Sequence, residues 1–154
     1  LYEERFTYMR DGAWTMENTR RALWDYTMAG GIGCWWGFYE YGVAESPLPP
    51  YPNPEYLATV NEFWVGRFLL DMSRDNSLTD GYCLKTSTND NYVFYKENTS
   101  SVQMDLSGMS GSQSAIAVDT KLSYAEIDLG TMTPANQTWT APYSSDWAIA
   151  VGDW

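Results

Sequence analysis

Apolar and polar positions alternate with helical spacing from Thr15 to Ala29, where Met16, Leu23, Trp24, Tyr26, Thr27 and Met28 are interleaved with Glu17, Asn18, Arg20, Arg21 and Asp25. Thr15 suits an N-cap and Gly30-Gly31 a stop, so the pattern predicts a helix over this span. Ile32 to Phe38 is then apolar without alternation, as in a strand covered on both faces of a parallel sheet. Five of the seven prolines fall between Glu40 and Pro54, which precludes helix and central strand and predicts a long loop at a functional rim. A second helix is expected from Pro54 to Leu70, with Leu57, Val60, Phe63, Trp64, Phe68 and Leu69 recurring every three or four residues. It should pack on the strand before it.

Beyond Asp71 the helical period disappears. Ser73-Arg74-Asp75-Asn76-Ser77 reads as a turn-rich linker, followed by short runs at Tyr82–Thr86, Asn91–Tyr95, Val102–Leu106, Ala115–Asp119, Tyr124–Leu129, Gln137–Thr140 and Trp147–Val151. About seven short strands separated by Gly, Asn, Asp and Ser point to a small antiparallel β-sandwich. The fold class expected is thus α+β and multi-domain, with one unit over residues 1–75 and the sandwich over 76–154.

Composition narrows the chemistry. A net charge of −11 with only nine Lys and Arg argues against nucleic acid or an anionic membrane surface as partner. No apolar run is long enough to span a membrane. With no histidine, neither a Ser-His-Asp triad nor a His-ligated zinc site can be built from this chain, leaving carboxylates to transfer protons. Eight Trp, twelve Tyr and five Phe exceed what a core of this size needs and suit a surface that stacks on sugars. No metal cluster is evident and no cofactor is expected: Asp105, Asp119 and Asp128 sit at strand ends, where acids ordinarily solvate turns. Cys34 and Cys83 read as two buried free thiols, with a disulfide between them as the alternative in a secreted protein. Asp146-Trp147 reads as a structural signature of the last strand with Trp147 as core anchor, and mid-helix Arg20 and Arg21 read as structural.

The sequence Glu3-Glu4-Arg5-Phe6, then Thr19-Arg20-Arg21-Ala22-Leu23-Trp24, then Met28-Ala29-Gly30-Gly31-Ile32-Gly33 and Trp36-Gly37 resembles the end of apiosidase-like glycoside hydrolase barrels. Asn91-Tyr92-Val93-Phe94-Tyr95, Val102-Gln103-Met104-Asp105-Leu106-Ser107, Ala141-Pro142 and Asp146-Trp147-Ala148-Ile149-Ala150-Val151 resemble the small sandwich that follows them, a domain named for collagen binding in a collagenase. Nothing in these residues reads a collagen triple helix. A TIM barrel closes only with eight strand-helix units over about 250 residues. The resemblance therefore implies that residues 1–75 are the last strand-helix units of a barrel and that the chain is a fragment, consistent with its opening on Leu1.

The resemblance further implies a retaining mechanism with two carboxylates about 5 Å apart. Glu3 matches the nucleophile by its place before the Arg-rich helix, with Glu4 as alternative, and Arg5 beside them could hold the carboxylate ionised. Trp35 and Trp36 would close the eighth strand, and Trp36 is the favoured platform beneath the sugar. Members often carry His and Tyr where this chain has Cys34, Trp35 and Trp36, so the sugar is left open. The partners implied are a carbohydrate substrate and the N-terminal barrel region of the same protein, in a secreted or periplasmic setting. The alternative function is a non-catalytic carbohydrate- or protein-binding module.

Overall fold

The computed structural model describes residues 16–31 and 55–154. Two helices, α1 (Met16–Met28) and α2 (Glu55–Trp64), precede six strands: β1 (Ser73–Arg74), β2 (Tyr82–Lys85), β3 (Tyr92–Asp105), β4 (Gln113–Asp119), β5 (Ile127–Met132) and β6 (Asn136–Val151). All strand pairs are antiparallel, in one hydrogen-bonded sheet of order β1-β2-β3-β6-β4-β5. The expected barrel strand at residues 32–38 lies outside the described residues.

The helix α1 matches its expected span, and its Arg20, Trp24 and Met28, four residues apart, form the buried stripe. Expected to reach Leu70, α2 stops at Trp64 instead, because Gly66 adopts φ +77 and turns the chain out of the helix. Leu70 consequently stands exposed. Segment 73–77 holds β1 and the start of a single 3-10 turn, Asn76–Leu78.

The seven expected runs resolve into five strands, to which β1 adds a sixth. Asn91–Tyr95 and Val102–Leu106 belong to one strand, β3, and Gln137–Thr140 and Trp147–Val151 to another, β6. The polar stretch between the halves of β3 looked like a break in sequence. It is a bend: the pairing of β3 with β6 shifts register between Lys96 and Thr99 and again before Ser101, and Asn98 takes φ 47. The segment Tyr124–Glu126, expected to open β5, stays outside it, with the Tyr124 hydroxyl and Glu126 both engaging Arg67 just beyond α2.

Strand alternation sorts the core into two faces. One face of β3 and β6 presents Phe94, Val102, Met104, Trp147, Ile149 and Val151 to a single cluster, so both halves of the bent strands curl around the same apolar centre. The opposite face presents Val93, Tyr95, Ala148 and Ala150 to Trp24, Met28 and Phe63 of the helices. The small Ala148 and Ala150 let Trp24 descend onto the sheet, where its ring stacks on Tyr95 at 5.2 Å and meets Phe63 edge-on at 5.1 Å.

Candidate functional site

Of the residues expected to act on a substrate, Glu3, its alternative Glu4, Arg5, Trp35 and Trp36 all lie outside the described residues, as does Cys34. What is described is α1, the element that lies between those two segments in the chain. Its anchoring to the sheet is the strongest polar feature of the described residues.

Arg20 is 1% exposed although it sits mid-helix. Its guanidinium donates to Asp146 Oδ2 at 2.5 Å and to Thr120 Oγ1 at 2.6 Å. Arg21, next along, donates from Nε to the same carboxylate at 2.8 Å and from Nη2 to Asn98 Oδ1 at 2.8 Å. The backbone N–H of Asn98, at the bend of β3, donates to Asp146 Oδ1 at 2.8 Å. Glu17 and Lys121 extend the cluster outward, with Lys121 Nζ 3.0 Å from Glu17 and 3.5 Å from Asp146. Burial by itself would raise the Asp146 carboxyl, but hydrogen bonds from Arg21, Arg20 and the Asn98 amide hold it well below the usual carboxylate range. Two adjacent arginines thus converge on one fully buried acid at the bend of the sheet.

Sequence reading placed Arg20, Arg21 and Trp147 as structural: the two arginines are buried or half-buried in these contacts, and Trp147 is buried in the cluster on the opposite face of the sheet. It missed that Asp146 is the acid joining them, because 126 residues separate Arg20 from Asp146. The available signal was an Arg-Arg pair on the apolar stripe of a helix in a chain with nine basic residues.

A second acid behaves oppositely. Asp25, one turn beyond Arg21, has a buried Oδ1 with no hydrogen-bond partner, and its pKa is pushed up to about 6 by burial and then by the charge of Glu97, against the pull of Arg21. Asp105, Asp119 and Asp128 cap turns, accepting from the backbone N–H of Ser107, Lys121 and Gly130 respectively. Among the described residues no group of three or more His, Cys, Asp or Glu side chains could hold a metal ion. Cys83 is a buried free thiol whose pKa burial drives upward.

The described chemistry is therefore that of a brace. The arginine-carboxylate cluster, with Arg20 and Asp146 fully buried, fixes α1 against the sheet.

No family model matches this chain, and no curated protein matches it. Solved structures do. A glycoside hydrolase superposes with a TM-score of 0.68 at 17% identity, covering 91% of this chain and 37% of its own. A glycoside hydrolase family 5 protein from Bacteroides vulgatus superposes with a TM-score of 0.51 at 18% identity, covering 64% of this chain and 23% of its own. The chain spans well under half the length of either, and at such identities the likeness is one of fold: this chain is built like a part of a glycoside hydrolase structure.

Proposed function

We propose that the chain is the C-terminal part of a retaining glycoside hydrolase, supplying the last strand-helix units of an apiosidase-like TIM barrel followed by a β-domain that braces them. The observation that carries this reading is the fold shared with a glycoside hydrolase over nearly the whole chain. The Arg20-Arg21-Asp146 cluster supports the bracing role, since a module tethered only by a linker has no need of a buried ion pair to its neighbouring helix.

In this reading the Glu3 carboxylate attacks the anomeric carbon, while a glutamic acid from the N-terminal barrel region protonates the departing glycosidic oxygen. Water, deprotonated by that same residue, then hydrolyses the glycosyl-Glu3 ester and restores both groups. Arg5 keeps Glu3 ionised, and Trp36, with Trp35 beside it, stacks under the ring being cleaved. The substrate is a neutral glycoside or polysaccharide, met in a secreted or periplasmic setting.

The test is made in the protein carrying the complete barrel. A 2-deoxy-2-fluoroglycosyl fluoride should leave a covalent sugar on the peptide containing Glu3, seen by mass spectrometry, and Glu3→Gln should lower kcat by about a thousandfold or more. An adduct on another residue, or full activity in Glu3→Gln, refutes the assignment.

A further inference from the structure

The strands β5 and β6 are joined by the short turn at residues 133–135, yet they are not hydrogen-bonded to each other. β5 pairs only with β4, and the N-terminal half of β6 pairs only with β3. The sheet therefore has an open seam, and along it runs a groove of about 560 Å³, within the range of ligand sites. The groove opens into the cluster on the face away from the helices, because Leu129 and Trp139, which line it, both pack on that cluster.

We infer that this seam is a binding site for a neutral oligosaccharide. Its lining is partly apolar: Trp139 lies half-buried there, its ring at 81° to that of Trp147 with centroids 5.0 Å apart, a contact that restrains the indole. Its rim is polar and unspent. Asp128 uses Oδ1 to cap Gly130, leaving Oδ2 as an acceptor. Gln137 donates to Thr133 O and keeps its amide oxygen, and the Thr131 hydroxyl makes no hydrogen bond among the described residues. Carboxylate, amide and hydroxyl around an aromatic plane match the alternating C–H faces and hydroxyl edges of a pyranose. No Lys or Arg lines the groove, so a phosphate or uronate would find no counter-charge in a chain of net charge −11.

An extended peptide added as a strand fits less well, for both edges are spoiled for pairing. β5 is broken by a register shift where Gly130 takes φ 70, and β6 carries Pro142, which has no N–H to donate, where it leaves the seam. The inference stands on the seam alone and does not depend on Glu3.

The test is titration of the chain with cellopentaose, xylopentaose and mannopentaose, followed by calorimetry and by the indole N–H resonance of Trp139, assigned through Trp139→Phe. At least one pentaose should bind and shift that resonance. Trp139→Ala should weaken binding about tenfold or more. Because that variant also loses a core contact, Thr131→Arg, at an exposed rim position, serves as the second: it should block binding with an unchanged thermal melt. Binding should survive Glu3→Gln, which separates this site from the barrel chemistry. Failure of all three pentaoses to bind at millimolar concentration, or binding unaffected by Thr131→Arg, overturns the proposal.

Discussion

Replacing Asp146 with Ala tests the brace directly. The change leaves the Arg20 guanidinium, 1% exposed, with Thr120, with Glu17 at 3.6 Å and with the Tyr56 ring beneath it. Stranding one member of a buried pair costs about 3–5 kcal/mol. The Asn98 N–H loses its acceptor, adding about 1 kcal/mol. Arg21 is partly exposed and regains water, so its loss adds little. The expected destabilisation is about 4–6 kcal/mol, a quarter or more of the roughly 5–15 kcal/mol that holds a domain together. At a few degrees per kcal/mol the melting temperature should fall by roughly 10–20 °C. Urea unfolding of wild type and variant measures the difference, and hydrogen exchange should show protection lost first in α1. The double variant Arg20→Met with Asp146→Ala should recover about 2 kcal/mol of the summed single costs, since the stranded charge is gone. A loss under about 1 kcal/mol for Asp146→Ala, or strict additivity in the double variant, would refute the view that this cluster anchors the helix.

Asp25 gives the opposite pH signature. Its folded pKa of about 6 lies above the ordinary 3.8, so its contribution is fully present below about pH 4 and is lost as pH rises through 6. Discounted for its partial exposure, the ionised form costs about 1–2 kcal/mol at pH 7.5, and Asp25→Asn should recover about 1 kcal/mol there while flattening the stability profile between pH 4 and 6. An unchanged slope in urea titrations across that range counts against it. Two glycines separate backbone strain from steric clash. At Gly66 an added Cβ meets nothing within 4 Å, so Gly66→Ala should cost only the about 1–2 kcal/mol of a left-handed residue. At Gly81 the Cβ would stand 2.5 Å from the Tyr95 carbonyl oxygen, so Gly81→Ala should cost more and should disturb the pairing of β2 with β3, seen in amide exchange.

Local order was legible in the sequence wherever it has a period. The helical spacing of apolar residues such as Leu23, Trp24 and Met28 and the glycines after them specify α1, because a buried helical face must recur every three or four residues. The short apolar runs Tyr92–Tyr95 and Trp147–Val151, bounded by turn-rich clusters, specify strands buried on both faces. The absence of histidine and the scarcity of cations limit the chemistry whatever the fold. Tertiary structure alone decided what depends on distant partners. A polar break in β3 and a proline in β6 become bends of continuous strands only because each half pairs with the other strand. Asp146 becomes the acid under Arg20 and Arg21 only because that bend carries it beneath α1, and burial then turns a surface type of interaction into an anchor. Trp139, an ordinary strand residue in sequence, lines a groove only because β5 and the N-terminal half of β6 border the same space without pairing. Periodicity is a local property of the chain, whereas pairing, burial and the groove between strands are relations among residues that only the fold brings together.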